Sequence, residues 1–397
     1  MIKFEDTEHA QKGPAQLLDI LLGAEVSSAR IEAALDADPV VADLWRSEAA
    51  VTEAASSIGL EDVRISEHDL LLRVASNGAA GIDARAVEDA LDVLRFLRAP
   101  GDALHDPEGV AERIARLSRR AGSGPGEAGE AMILSPAEAR ESFAFCRGRA
   151  PIFEAVMAAR HYALLTDRAS PVAERMIFVA AEQAARAGQG VVRAHQEDVL
   201  RGLGGRISAR WVALPSIALT SRSFRIWSPS GARGLRNILE AIGDHQSREI
   251  GRLITVRAWV GRMREAGQGR HGRSRLRDAA FAFGSEPVLT SARLADLIGV
   301  TQRGAINLLD QLVQGNLVHE ITRRRAARIW STPMLAERLA GRAPARQTVA
   351  EPERKPGSRA QDLAEVDIDA AMAEFDKTMN EADAILERVS NWRKNAP

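Results

Sequence analysis

A single cysteine, Cys146, stands in 397 residues. An intrachain disulfide is therefore excluded, and a cytoplasmic compartment is the expectation. Aromatic residues are also scarce: ten Phe, six Trp and one Tyr, which with abundant alanine favours helices over a β-rich core. Lysine is rarer still, five residues against 48 arginines, an imbalance that a GC-rich genome accounts for. No apolar run approaches the ~18–20 residues that a membrane span needs, so no membrane contact is predicted. The opening MIKFEDTEHAQKG is polar and acidic, unlike a signal peptide.

Short catalytic patterns are missing as well. No G-x-x-x-x-G-K-[ST] loop occurs to cradle phosphates, and neither H-E-x-x-H nor paired C-x-x-C is present to hold zinc. The eight histidines are scattered. The densest polar cluster, His195-Gln196-Glu197-Asp198, lacks further ligands and reads as a helix cap or a solvent-facing turn. Glu61-Asp62 and Glu88-Asp89 read as exposed helix residues. No catalytic residue, metal or cofactor is predicted, and the chain is not expected to be an enzyme.

What is present is uneven charge and one dense motif. The formal net charge is −1, yet residues 1–110 carry 22 acidic against 9 basic side chains, and residues 201–346 carry 10 against 25. Arginine usage explains the Arg/Lys ratio but not this placement, which points to a nucleic-acid face on the second half.

The motif lies at 290–330. Thr290 and Ser291 offer N-cap oxygens to a helix whose Leu294, Leu297 and Ile298 share one face. Gly299 stands at its stop, where a positive φ is cheapest for glycine. Thr301 caps a second helix with Ala305, Leu308, Leu309 and Leu312 inward, Ile306 to one flank, and Gly315-Asn316 at its end. Alternation over 317–321 predicts a strand, Thr322-Arg323-Arg324-Arg325 a wing tip, and Arg328-Ile329-Trp330 a returning strand.

This segment resembles the helix-turn-helix pattern of bacterial regulators. The small residue is Ala295, the turn glycine is Gly299, and Leu294, Ile298, Val300, Ala305 and Leu308 fill the apolar places. The resemblance implies a winged helix-turn-helix bound to duplex DNA. Thr301, Gln302, Arg303 and Asn307 would face base edges, and Arg323, Arg324, Arg325 and Arg328 phosphates or the minor groove. The competing reading is a dimerisation or protein-docking module with a solvated basic turn.

The rest of the chain reads as helical. An acidic helical domain is predicted over 14–118, with helices at Pro14–Leu22, Asp38–Ser57, 83–98 (capped by Asp83) and Leu104–Leu117. A glycine-rich linker follows at 121–129. A second helical domain covers 131–277, its second half basic. Its helices start at Ser135-Pro136 with capping-box spacing and at Ser170-Pro171, running to Ala187, and a long one spans Ala232–Arg264, with Gly243 a possible break. Residues 267–277 read as a basic linker or a phosphate-contacting arm. The winged module takes 278–340 and a Pro-containing disordered linker 341–360. Over 361–394, Ile368, Met372, Phe375, Met379, Ala382, Leu386 and Val389 recur at spacings of 4 and 3. That coiled-coil-like seam suits a homodimer or a fold back onto the body.

Two further resemblances bear on function. A helical body before a C-terminal winged helix is similar to bacterial Fic proteins, which transfer nucleotides to hydroxyls. Ser57 and Glu61 match their Ser-x-x-x-Glu inhibitory helix. Their histidine–phenylalanine and Gly-Asn-Gly-Arg catalytic motif is absent, so this implies at most a divergent nucleotidyl transferase. Closer in layout is a family of rhizobial and related plasmids, a domain of unknown function followed by a helix-turn-helix domain. Leu44-Trp45 and Leu60-Glu61-Asp62-Val63 carry that likeness, with the basic helical middle. It implies a DNA-binding, nucleoid-associated transcriptional regulator of a mobile or plasmid-type element. A helical protein-interaction module of such an element is the remaining class.

Overall fold

The computed structural model describes residues 5–341 apart from 62, 64, 77–83, 123–133, 147, 167–169, 188–208, 222–224, 267–274 and 323–327. Fourteen helices and three short strands lie among the described residues. They are α1 (Glu5–Asp36), α2 (Pro39–Gly59), α3 (Glu67–Ser76), α4 (Ala84–Arg98), α5 (Pro107–Gly122), α6 (Pro136–Phe143), α7 (Pro151–Leu165), α8 (Pro171–Ala187), α9 (Pro215–Thr220), α10 (Ala232–Glu265) and α11 (Leu276–Ser285). These are followed by β1 (Val288–Thr290), α12 (Ser291–Ile298), α13 (Gln302–Gln314), β2 (His319–Glu320), β3 (Ile329–Ser331) and α14 (Pro333–Gly341).

Proline sets many of the helix starts. Seven of these helices begin on a proline, whose fixed φ suits the first turn and whose missing N–H is not needed there. Asp38 accepts the Val40 and Val41 N–H groups ahead of α2. Ser135 and Glu138 form both bonds of the capping box at α6.

Helices α7 and α9 have no side-chain cap of their own. Distant carboxylates supply it. Glu25 of α1 accepts the Ile152 and Phe153 N–H groups at 2.9 and 3.0 Å. Glu53 of α2, fully buried, accepts those of Ser216 and Ile217 at 2.9 and 2.8 Å. A carboxylate fits there because a helix N-terminus presents unpaired donors and partial positive charge.

Helix α2 is central. It packs on α4, α9, α10, α11 and α3, while α1 lies along α10 and α7, and α7 pairs closely with α8. One buried apolar cluster runs from Leu21 through Trp45, Phe178, Trp211 and Trp259 to Trp330 and Leu335. Residues of 14–118, 131–277 and 278–340 all contribute to it.

Several elements differ from the sequence reading. Helix α1 extends well beyond Pro14–Leu22 at both ends, and α10 runs through Gly243 without a break. A lone glycine costs a helix only about 1 kcal/mol, and packing of α10 against α1 and α9 offsets that. Arg275 and its two followers belong to the start of α11 rather than to a linker. The Asp83 cap, most of the 121–129 and 341–360 linkers, the His195–Asp198 cluster and the Ile368–Val389 seam lie outside the described residues.

Candidate functional site

The segment after α11 builds from its caps. Thr290 holds extended backbone and its hydroxyl accepts the Arg293 N–H at 3.1 Å, starting α12. Gly299 ends that helix in the left-handed region, φ 67° and ψ 44°. A Cβ at Gly299 would meet nothing within 4 Å, so backbone conformation alone requires glycine there. Thr301 then accepts the Gly304 N–H at 3.2 Å and opens α13.

Leu294, Ala295 and Ile298 of α12 face Ala305, Leu309 and Leu312 of α13, all buried. Leu308 is only half-buried, and Leu297, expected inside, is 36% exposed at the rim. At the end of α13 the left-handed residue is Asn316 (φ 56°), not Gly315, and the Leu317 N–H reaches back to the Leu312 carbonyl at 2.9 Å. Asparagine tolerates that conformation better than other side-chain-bearing residues.

A three-stranded antiparallel sheet, ordered β1-β3-β2, closes the module. Leu289 pairs with Trp330 and Glu320 with Trp330 across it. The expected strand over 317–321 shortens to His319–Glu320: the Leu317 N–H is taken by the Leu312 carbonyl at the end of α13, and pairing with β3 begins at His319. Strand β1 carries no alternation and is only three residues long, so the sequence left no sign of it.

The predicted contact residues divide sharply. Arg303 and Asn307 are exposed on one face of α13. Thr301 is exposed with its hydroxyl oxygen on the Gly304 N–H, and the Gln302 amide donates to Ser291 Oγ at 3.3 Å. Arg328 is tied internally: its Nε donates to Glu320 at 2.8 Å, its Nη2 lies 3.9 Å from Asp310, and its guanidinium stacks 4.7 Å from the Trp330 ring centroid. Its pKa is raised, first by the hydrogen bond to Glu320. Arg323, Arg324 and Arg325 lie outside the described residues.

This module is bonded directly to the helical body. The Trp259 indole of α10 donates to the Leu317 carbonyl at 2.8 Å, and Ser47 to the Ser285 carbonyl at 3.1 Å. Glu48, wholly buried on α2, receives the Thr332 hydroxyl and the Arg252 guanidinium, with Arg338 Nη1 3.9 Å away. Arg338 Nε also donates to buried Glu67 at 3.0 Å. At the α2 N-terminus Arg264 grips Asp38 with both nitrogens, at 2.8 and 2.9 Å. Three arginines of the basic half are thus bound to carboxylates of the acidic half. The charge asymmetry is in part a complementarity inside the molecule, which the sequence count read as an outward face.

Several ionisable groups of the helical body are tied to one another. Ser57 and Glu61 together hold Arg175 of α8, through the Ser57 carbonyl at 3.0 Å and the Glu61 carboxylate at 2.6 Å. Ser142 Oγ lies 3.2 Å from His161 Nδ1, and His161 Nε2 lies 3.5 Å from Glu141. Ser142 is wholly buried, so this serine–histidine–carboxylate set ties α6 to α7 and offers no hydroxyl to a substrate. Burial pushes the Cys146 thiol up to about 12, away from the thiolate that reactivity needs. Among the described residues no group of three His, Cys, Asp or Glu is placed to hold a metal ion, and no helix is long and apolar enough to cross a membrane.

No known family profile matches the chain, and no curated protein matches it in sequence.

Proposed function

We propose that residues 278–340 form a winged helix-turn-helix that docks on duplex DNA through the N-terminal face of α13, and that the protein acts by binding rather than by catalysis. The observation that carries this reading is the pair of capped helices joined at left-handed Gly299, with Arg303 and Asn307 turned outward. A short helix whose inner face is small and apolar, and whose outer first turns are polar, suits insertion into a major groove. The Arg323–Arg325 run between β2 and β3 adds cations where a wing would meet phosphates. In this reading the chain is a sequence-specific or semi-specific regulator of a mobile or plasmid-type element. The Ile368–Val389 seam then offers a route to pairing two copies.

The test is a gel-shift series at rising salt with random and genomic duplex fragments. Retention at low salt that weakens steeply with salt is expected, because phosphate contacts release counterions. The combined Arg303→Ala, Arg323→Ala and Arg324→Ala variant should bind more weakly and with a shallower salt slope. Undetectable binding at low salt, or an unchanged triple variant, overturns the proposal.

A further inference from the structure

The structure narrows the reading side chains on α13 to two, and their chemistry names the bases. Of the residues facing outward near its N-terminus, Thr301 and Gln302 are held by local bonds to Gly304 and Ser291. Arg328 is held by Glu320 and lies beside Asp310. Arg303 and Asn307 remain, both exposed and four positions apart. At 100° per residue they sit about 40° apart around the helix, and at 1.5 Å per residue about 6 Å apart along it. Successive bases along a strand are about 3.4 Å apart, so the two side chains span about two base steps.

A guanidinium offers two parallel N–H donors, which match O6 and N7 of guanine. A carboxamide offers one donor and one acceptor, which match N7 and the N6 amino group of adenine. Asp310 falls on the same face a turn further on, where an uncompensated anion would repel phosphate. Arg328 Nη2 lies 3.9 Å away but also pairs with Glu320 at 2.7 Å, so it offsets that charge only in part.

We infer that the DNA site read by α13 contains a guanine and an adenine about two base pairs apart, the guanine recognised by Arg303 and the adenine by Asn307. This rests on the DNA-binding reading above.

Enrichment of bound duplexes from a random library, using the full chain and then the Asn307→Ala and Arg303→Ala variants, tests it. The expected motif has both bases at that spacing. Asn307→Ala should relax preference at the adenine alone, and Arg303→Ala at the guanine alone, each by roughly tenfold or more. Both positions are exposed and alanine favours helix, so unchanged thermal unfolding separates lost reading from lost fold. DNA retained without base preference, or with a motif that both variants leave intact, overturns the inference while leaving DNA binding in place. If no duplex is retained at low salt, the underlying reading fails with it.

Discussion

Helices α2 and α13 spend their polar side chains in opposite ways. Helix α2 buries Arg46, Glu48, Thr52, Glu53 and Ser57 beside its apolar residues, and their partners come from far along the chain: Trp211, Ser216, Arg252 and Thr332 among them. Helix α13 buries only Ala305, Leu309 and Leu312, and turns its polar residues out. An ionised group enters an interior only where fixed donors or opposite charges replace its water. Around α2 those donors are built in. Among the described residues no such protein surface covers the outer face of α13, and this supports the proposal that a partner does.

The largest effect that would break this contrast is at Glu48. Glu48→Ala leaves the Thr332 hydroxyl without its acceptor and takes from the Arg252 guanidinium one of its two carboxylates, Glu249 at 3.1 Å remaining, and a cost of about 3–4 kcal/mol is expected. Urea unfolding measures it. A loss under about 1 kcal/mol would show that the tie between α2 and the C-terminal elements is incidental.

Next in size is an acid response from the same interior. Burial lowers the His245 pKa to about 4, against 6.5 when unfolded. The unfolded chain therefore binds the proton first, and this contribution is present above pH 6.5 and lost as pH falls toward 4. In full it is worth about 3 kcal/mol. Glu25 works the other way. Burial raises it to about 7, so its contribution is present below pH 4.5 and lost as pH rises through 7. Between pH 7 and 5, His245→Gln should lose less stability than the parent and Glu25→Gln more. Unfolding curves at the two pH values decide it, and identical slopes in all three proteins would remove both assignments.

The smallest effect sharpens the other side. Arg303→Ala and Asn307→Ala should each change stability by about 0.5 kcal/mol or less, since neither touches a packed feature. A melting shift well beyond that would mean that α13's outer face is held by the protein itself.

The same contrast governs what the sequence disclosed. The helix starts at Asp38, Ser135, Ser170, Thr290 and Thr301 and the Gly299 turn were legible because caps, prolines and a left-handed glycine act within four residues. The long helix, read as Ala232–Arg264, was legible from apolar spacing. Strand β1, with three residues, has no period to read. Helices α7 and α9 take their N-terminal acceptors from Glu25 and Glu53, over a hundred positions earlier, and nothing local announces that. At the candidate site, the residue types on α13 were visible in the chain. The capture of Arg328 by Glu320 was not, because it depends on strand register.

The internal ties at Glu48, Asp38 and Glu67 all end on arginine. A buried ammonium readily gives up its proton, and lysine is open to acetylation. A guanidinium escapes both. Even Arg46 and Arg98, pushed down to about 10 by burial, stay charged at neutral pH. The cationic half of each joint is therefore chemically permanent. Acid can loosen these joints only through their carboxylates, and acylating enzymes find no handle on them.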